Sequence, residues 1–362
     1  MRILDKYIVR ELLGPFGFGI AAFSSIFIGT TTLFRIAQYI TQYGASWLSV
    51  GKLFLYSLPG IIAYTFPMSM LLASLLAFGR LSGASEITAM RSGGISFFRL
   101  SAPVFVVAFL VSLFAVQFNE LVVPAANTAY NDVIQYEIKK DLALKSQDHI
   151  IIKDMDGDKL KRLTYARKYE ETTNSLTGVT MEEFDNGMLA RVENAERAAL
   201  QGDRWVMYNG VIHDLTPEGR LERTLRFEQQ LMPLDKSPAD ISREQKKPEE
   251  MTIKELKQCI KLLKQEFVVT NVYEVELHQR LAIPMASFVF ALIGTPLGLQ
   301  PHRSSSSIGL GISIIIIFIY YAIMMVATAL GQGGTIPALL AAWLPNLLGI
   351  AVGVLLVRRA AR

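Results

Sequence analysis

The sequence predicts an α-helical polytopic membrane protein: six transmembrane helices, three plus three, with an extracytoplasmic antiparallel β domain of jelly-roll-like type inserted between the halves. Three observations predict it. Hydrophobic residues make up 51% of the 362 and charged residues only 19%, with a mean hydropathy of +0.33, too apolar for an ordinary soluble domain. The apolar residues gather into runs that approach or exceed the roughly 20 a spanning helix needs. Between the third run and the fourth lies one long polar block, in which the hydrophobic pattern changes to alternation.

The runs are expected at about 14–34, 53–79, 101–123, 281–299, 308–329 and 336–357. Ahead of the first, 1-MRILDKYIVRELLG-14 places Ile3, Leu4, Tyr7, Ile8 and Leu12 on one face, which predicts an amphipathic helix at the interface. Arg2, Lys6 and Arg10 precede the first run as they would a signal peptide. The run is too long for an h-region and lacks a cleavage site, so it is expected to be retained. Pro59, Pro67, Pro284, Pro296 and Pro345 interrupt spans two, four and six, and such kinks need neighbouring protein or water to satisfy the freed carbonyls. Gly294 with Gly298, and Gly349 with Gly353, would permit close helix approach, although this spacing is common in membrane helices.

In the polar block, HIIIK, KLKRLTYARKY, TGVTMEEF, MLARVENA, RWVMYNGVIHDL and RTLRFEQQLM read as strands. Turns are expected at 154-DMDGD-158, Asn186-Gly187, Gly202-Asp203 and 216-TPEG-219, with Asn186-Gly187 the strongest hairpin signal. Strands at this spacing suggest a small antiparallel sandwich or open jelly roll. A polar linker (233–250) leads to 252-TIKELKQCIKLLKQEF-267, an amphipathic helix opened by a Thr252–Glu255 capping box. The expected organisation is an N-terminal membrane half (1–130), a β domain (131–250), and a connecting helix with the C-terminal membrane half (251–362).

Lys and Arg near the span ends set the orientation. Arg2, Lys6 and Arg10, then Arg80, Arg91 and Arg99, then Arg303, and finally Arg358, Arg359 and Arg362 fall on one side, while 330-LGQGGTIP-337 on the other is uncharged. Both termini are therefore expected in the cytoplasm, with the β domain outside the inner membrane. The net charge of +4 divides into an acidic outer domain and a basic membrane part, which argues for ordinary membrane topology and against nucleic acid as a partner.

No catalytic chemistry is expected. The segment 154-DMDGD-158 departs from the EF-hand pattern, with Tyr165 where the loop's twelfth residue would be Glu, and reads as a solvated turn. Gly51-Lys52 lacks the spacing and preceding strand of a P-loop. His149, His213, His278 and His302 are scattered, and Cys259 is the single cysteine, so neither a metal nor another cofactor is expected. Any energy for work must come from a separate chain. Arg35 sits at the outer end of span one, either as an interfacial anchor or as an anion contact. It avoids the cost of about 2.5–3.5 kcal/mol that a charge meets at a span centre on insertion scales.

The stretch 82-SGASEITAMRSGGISFFRL-100 is short and charged. Ser85 is expected to cap a helix, Glu86 to sit in its first turn, Ile87 and Met90 to share a face, and Gly93-Gly94 to end it. Such a helix cannot span a bilayer. It is either a capped hairpin between spans or an element that docks into a groove of a soluble partner.

With 66-FPMSMLLASLLAFGRL-81 before it, the segment 85-SEITAMRSGGIS-96 closely resembles the YjgP/YjgQ family, the LptF/LptG permeases of the lipopolysaccharide export system. The start 4-LDKYIVREL-12, the sequence 294-GTPLG-298 and the three-plus-three plan extend the similarity over nearly the whole chain. The resemblance implies that 85–94 is a coupling helix, with Ser85, Glu86, Ile87, Met90 and Arg91 as residues coupled to a cytoplasmic LptB-like ATPase dimer. It further implies a second permease subunit, either a paralogue or a second copy, and periplasmic LptC/LptA-like jelly-roll proteins that receive the lipid. Arg35 matches a basic residue near the lipid phosphates; Lys52 is a candidate outside any aligned motif.

Extracting a lipid with about six acyl chains of about twelve carbons through water would forfeit on the order of 50 kcal/mol at roughly 0.8 kcal/mol per CH₂. The implied route is therefore dry, and Phe27, Phe34, Phe318 and Tyr321 are candidates to line it, although at helical spacing such residues more often face lipid or neighbouring helices. Two alternatives remain: a permease of another envelope export system, such as lipoprotein release, and a membrane-embedded lipid-modifying enzyme. The missing acid, nucleophile or metal cluster argues against the enzyme.

Overall fold

The computed structural model describes residues 3–138, 147–156, 159–170, 173–185, 188–202, 204–216, 220–234, 247–265, 268–299 and 306–361. The chain divides into two compact units, residues 1–138 with 247–362 and residues 139–246.

The first unit is helical. Among the described residues six helices are long and apolar enough to cross a membrane: Ile3–Tyr43, Trp47–Gly83, Phe97–Ile138, Asn271–Gly298, Gly309–Gln332 and Ala338–Ala361. The elements are α1 (Ile3–Phe27), α2 (Leu33–Tyr43), α3 (Trp47–Gly83), α4 (Glu86–Ser92), α5 (Phe97–Leu121), α6 (Val123–Asp132), α7 (Ile253–Gln265), α8 (Asn271–Gly298), α9 (Ser306–Gln332) and α10 (Ala338–Ala361).

The expected separate interfacial helix does not break from the first span. Helix α1 runs through a π-helical turn (Ile28–Thr32) into α2, 41 residues in all, or roughly 60 Å at the ordinary helical rise. Its amphipathic start has a protein partner instead of a lipid surface, since Ile8 and Leu12 share a buried cluster with Leu81, Ile87, Phe97 and Leu100. At the π turn the hydroxyls of Thr30 and Thr31 donate to the carbonyls of Ile26 and Phe27, at 2.9 and 2.7 Å. Such back-bonding competes with the regular ladder.

Helices α3 and α8 form the centre of the bundle, with 72% of each apolar stretch buried. Small residues make that possible. A Cβ on Gly298 would lie 2.8 Å from Phe78 Cβ and 2.9 Å from the Leu75 carbonyl, and one on Gly294 would strike Ser74 Oγ. Gly349 and Gly353 of α10 are likewise closed by Val289 and Leu292 of α8. Both glycine pairs therefore serve packing within this chain. One buried polar network crosses the same region: the Tyr320 hydroxyl donates to Asn346 Oδ1 at 2.9 Å, and Asn346 Nδ2 donates to the Ala282 carbonyl at 2.7 Å.

The second unit is an antiparallel sheet of β1 (Gln147–Asp156), β2 (Lys159–Glu170), β3 (Ser175–Asp185), β4 (Met188–Gln201), β5 (Arg204–Leu215) and β6 (Leu221–Leu231). The strand order follows the chain, an up-and-down meander instead of the Greek-key order of a closed jelly roll. One face buries Ile150, Ile152, Leu176, Val179, Trp205 and Met207. Gly210 of β5 faces Phe227 of β6 in register, and the ring occupies the space a Cβ would need. Gly202 adopts the left-handed backbone of the β4–β5 turn, φ +64°. The turn residues Gly157, Asp158, Asn186, Gly187, Asp203 and 217–219 lie outside the described residues. Within the sheet Glu193 is buried, accepting from Gln230 Nε2 at 3.1 Å, and burial pushes its carboxyl above the usual range against the pull of Arg191.

After the sheet, the capping box of α7 forms as the sequence predicts. The Thr252 amide donates to Glu255 Oε2 at 2.7 Å and the Glu255 amide donates to Thr252 Oγ1 at 3.2 Å.

Candidate functional site

Helix α4 joins the end of α3 at Gly83 to the start of α5 at Phe97. Its C-terminus closes as the glycine pair predicts: Gly94 is left-handed (φ +86°) and the Ile95 amide returns to the Met90 carbonyl at 3.1 Å. Its N-terminus differs from expectation. Ser85 occupies the cap position but takes the left-handed backbone (φ 58°), and its side chain makes no cap hydrogen bond. The tight exit from α3 decides this, because the Ser85 amide bonds the Ser82 carbonyl.

The two faces of α4 part cleanly. Ile87 is buried in the bundle's own cluster and Met90 packs against that cluster, whereas Ser85, Thr88, Arg91 and Ser92 are exposed. Ile87 and Met90 thus mount the helix on its own chain, and the surface offered outward is polar and basic. Glu86 is half-buried and accepts from the Tyr7 hydroxyl at 2.7 Å through Oε2. Asp5 pairs with Arg99 at 2.6 Å, and Glu11 pairs with Arg80.

The candidate residues on the spans stand in different surroundings. Phe27 and Tyr321 pack on the same buried cluster, and the Tyr321 hydroxyl approaches the Tyr64 carbonyl at 3.4 Å. Phe34 and Phe318 are 64% and 73% exposed. Arg35 is exposed and forms no ion pair among the described residues. Lys52, part of Gly51-Lys52, lies in the second turn of α3 and is engaged by Glu137 at 2.6 Å, whose other oxygen accepts from Ser49 Oγ at 2.8 Å.

Sequence reasoning missed a second polar locus. A cavity of about 220 Å³ is lined by Tyr64, Asn119, Asn127, Glu276, Gln279 and Arg280, among others. Buried Arg280 donates to the carbonyls of Pro248 (3.2 Å) and Glu249 (2.9 Å), and Nε stands 3.6 Å from Glu276. Asn127 donates to the Glu249 carbonyl, Asn131 to Glu250, and the Ile253 amide to Glu120. The returning strand of chain is thus fastened to α5, α6 and α8. Starting span four at 281 hid this locus; the Glu276/Arg280 spacing of four beside an apolar run was the available signal. Among the described residues no group of three or more His, Cys, Asp or Glu could hold a metal.

Six spanning helices around an α3/α8 centre, an antiparallel sheet inserted between the third and fourth, and a short helix mounted between the second and third define a polytopic membrane protein with one inserted β domain. The family described as lipopolysaccharide export system permease LptF/LptG matches residues 6–359, and the chain belongs to it. It is similar to the lipopolysaccharide export system permease protein LptG of Haemophilus influenzae, 22% identical over 210 residues, an alignment that covers 56% of this chain and 56% of that protein. The matched segment thus spans little more than half of that relative. Membership of a permease family together with the six helices makes this a multi-pass inner-membrane protein.

Proposed function

We propose that this chain is a transmembrane subunit of an ATP-driven lipopolysaccharide exporter. It extracts the lipid from the inner membrane and passes it toward a periplasmic jelly-roll bridge. Both termini and α4 face the cytoplasm, as the distribution of Lys and Arg favours, and the sheet lies in the periplasm. The observation that carries the proposal is α4 itself. A seven-residue helix anchored inward by Ile87 and Met90 and presenting Thr88 and Arg91 outward suits a rigid lever between two spans and a soluble partner. That partner is an LptB-like ATPase dimer, in which hydrolysis takes place.

The lipid follows a dry route, because acyl chains lose about 0.8 kcal/mol of burial per CH₂ on entering water. Phe34 and Phe318 project from spans that their own chain leaves largely uncovered, and Arg35 stands near the lipid phosphates. A second permease subunit, paralogue or copy, completes the cavity, and LptC/LptA-like proteins receive the lipid beyond the sheet.

Purification in mild detergent, followed by mass spectrometry of co-purifying proteins and lipids, tests the proposal. The expected result is a P-loop ATPase, a second permease chain and lipid A species. Lipoproteins in place of lipid A would move the reading to another export system, and turnover of lipid by the lone chain would move it to an enzyme.

A further inference from the structure

We infer that Tyr7 is a positioning residue for Glu86, and that the first three turns of α1 form a bracket holding α4 in its working orientation. This rests on the coupling role proposed for α4. Three polar contacts, from residues 5, 7 and 11 of a single helix, reach three different elements: Asp5 pairs with Arg99 in the first turn of α5, Tyr7 donates to Glu86 in the first turn of α4, and Glu11 pairs with Arg80 in the last turn of α3. Between them Ile8 and Leu12, each 1% exposed, pack into the cluster that holds Ile87. The bracket therefore grips both flanks of the α3–α4–α5 turn and its centre.

The geometry at Glu86 gives the bracket its purpose. The Tyr7 hydroxyl occupies Oε2, and Oε1 receives no hydrogen bond among the described residues. A carboxylate on a helix of seven residues has several rotamers open to it. A neutral donor on one oxygen selects one of them without cancelling the charge, and leaves the other oxygen to a cationic side chain of the cytoplasmic partner. A Lys or Arg at position 7 would neutralise Glu86, whereas a phenol orients it. Pre-organisation of this kind lowers the cost of engaging the partner.

The test uses the whole permease–ATPase complex in proteoliposomes, comparing wild type with Tyr7→Phe, Glu86→Gln, the double variant and Arg91→Ala. ATP hydrolysed, labelled lipid exported and melting temperature are measured for each. Loss of a hydrogen bond to a charged group is expected to lower lipid exported per ATP about five-fold in Tyr7→Phe, with the melting temperature within about 2 °C of wild type, because the ring and its apolar neighbours remain. The double variant should match Glu86→Gln alone, since both act through one contact. Tyr7→Phe coupled as well as wild type while Glu86→Gln is not would overturn the positioning role and leave the coupling reading standing. A large drop in melting temperature in Tyr7→Phe with export per ATP preserved would also overturn it, in favour of a merely structural tyrosine. Unchanged ATPase association and coupling in both Glu86→Gln and Arg91→Ala would remove the coupling reading and this inference with it.

Discussion

The two central spans and the two outer ones have similar apolar content and opposite surroundings. Helices α3 and α8 have hydropathies of 1.9 and 1.8 over their most apolar stretches and are 72% buried there; the first and fifth spans reach 1.7 and 2.5 yet are only 22% and 17% buried. The most apolar span is thus the one its own chain covers least. Hydropathy reports that a helix tolerates hydrocarbon, and small residues report that it has a neighbour. Gly294 and Gly298 meet the backbone of α3 at van der Waals range, whereas the fifth span points Phe318, Met325 and Val326 outward, each more than 60% exposed. Faces of that kind suit lipid, a second subunit or an acyl-chain cargo.

The comparison breaks most readily at the centre. Gly298→Leu forces a side chain against the Leu75 carbonyl and the Gly79 amide, 2.9 and 3.0 Å from the position of a first carbon. Overpacking against backbone is expected to cost about 3 kcal/mol or more and to abolish the monodisperse peak in fluorescence-detected size exclusion. If that variant behaves like wild type, the α3/α8 centre is not where stability resides. Asn346→Ala is the next largest. It strips the Tyr320 hydroxyl and the Ala282 carbonyl of their shared partner, at about 1–3 kcal/mol, and thermal unfolding should begin several degrees lower, with Tyr320→Phe milder.

The sheet sharpens the contrast through a charge that its own fold buries. Glu193 holds its proton more tightly folded than unfolded. Stability is therefore expected to fall as pH rises from the unfolded carboxyl value through the raised folded one. Glu193→Gln should flatten that slope, raising the melting temperature at pH 8 and changing it little at pH 5; an equal shift at both values would mean the proton plays no part. The smallest expected stability change belongs to the outer spans. Phe34→Ala and Phe318→Ala should alter melting by the equivalent of about 0.5 kcal/mol or less while reducing export, measured in the same proteoliposomes. A melting loss as large as that of Asn346→Ala would erase the distinction between centre and rim.

Much of this was legible from local pattern. The capping box at Thr252–Glu255 forms because both partners lie within one turn, and α4 ends at Gly93-Gly94 because only the local backbone is involved. The Ser85 cap failed for a local reason of another kind, since the exit from α3 claimed its backbone first. Tyr7 was placed on the apolar face of α1, but its hydroxyl partner is 79 residues away, and no periodicity points there. Arg280 stood one residue outside the expected span, and its partners are main-chain carbonyls of a polar linker, which carry no residue signature at all.

By itself the sequence determined the number of spans, the inserted antiparallel sheet and the short helix at 86–92, because each depends on solvent preference or on hydrogen bonds a few residues apart. Tertiary structure alone decided which spans form the centre, that the start of α1 packs into a cluster shared by α3, α4 and α5, and that Lys52 is engaged by Glu137. Those outcomes depend on steric fit and on charges that meet across distant parts of the chain, and composition and spacing carry neither.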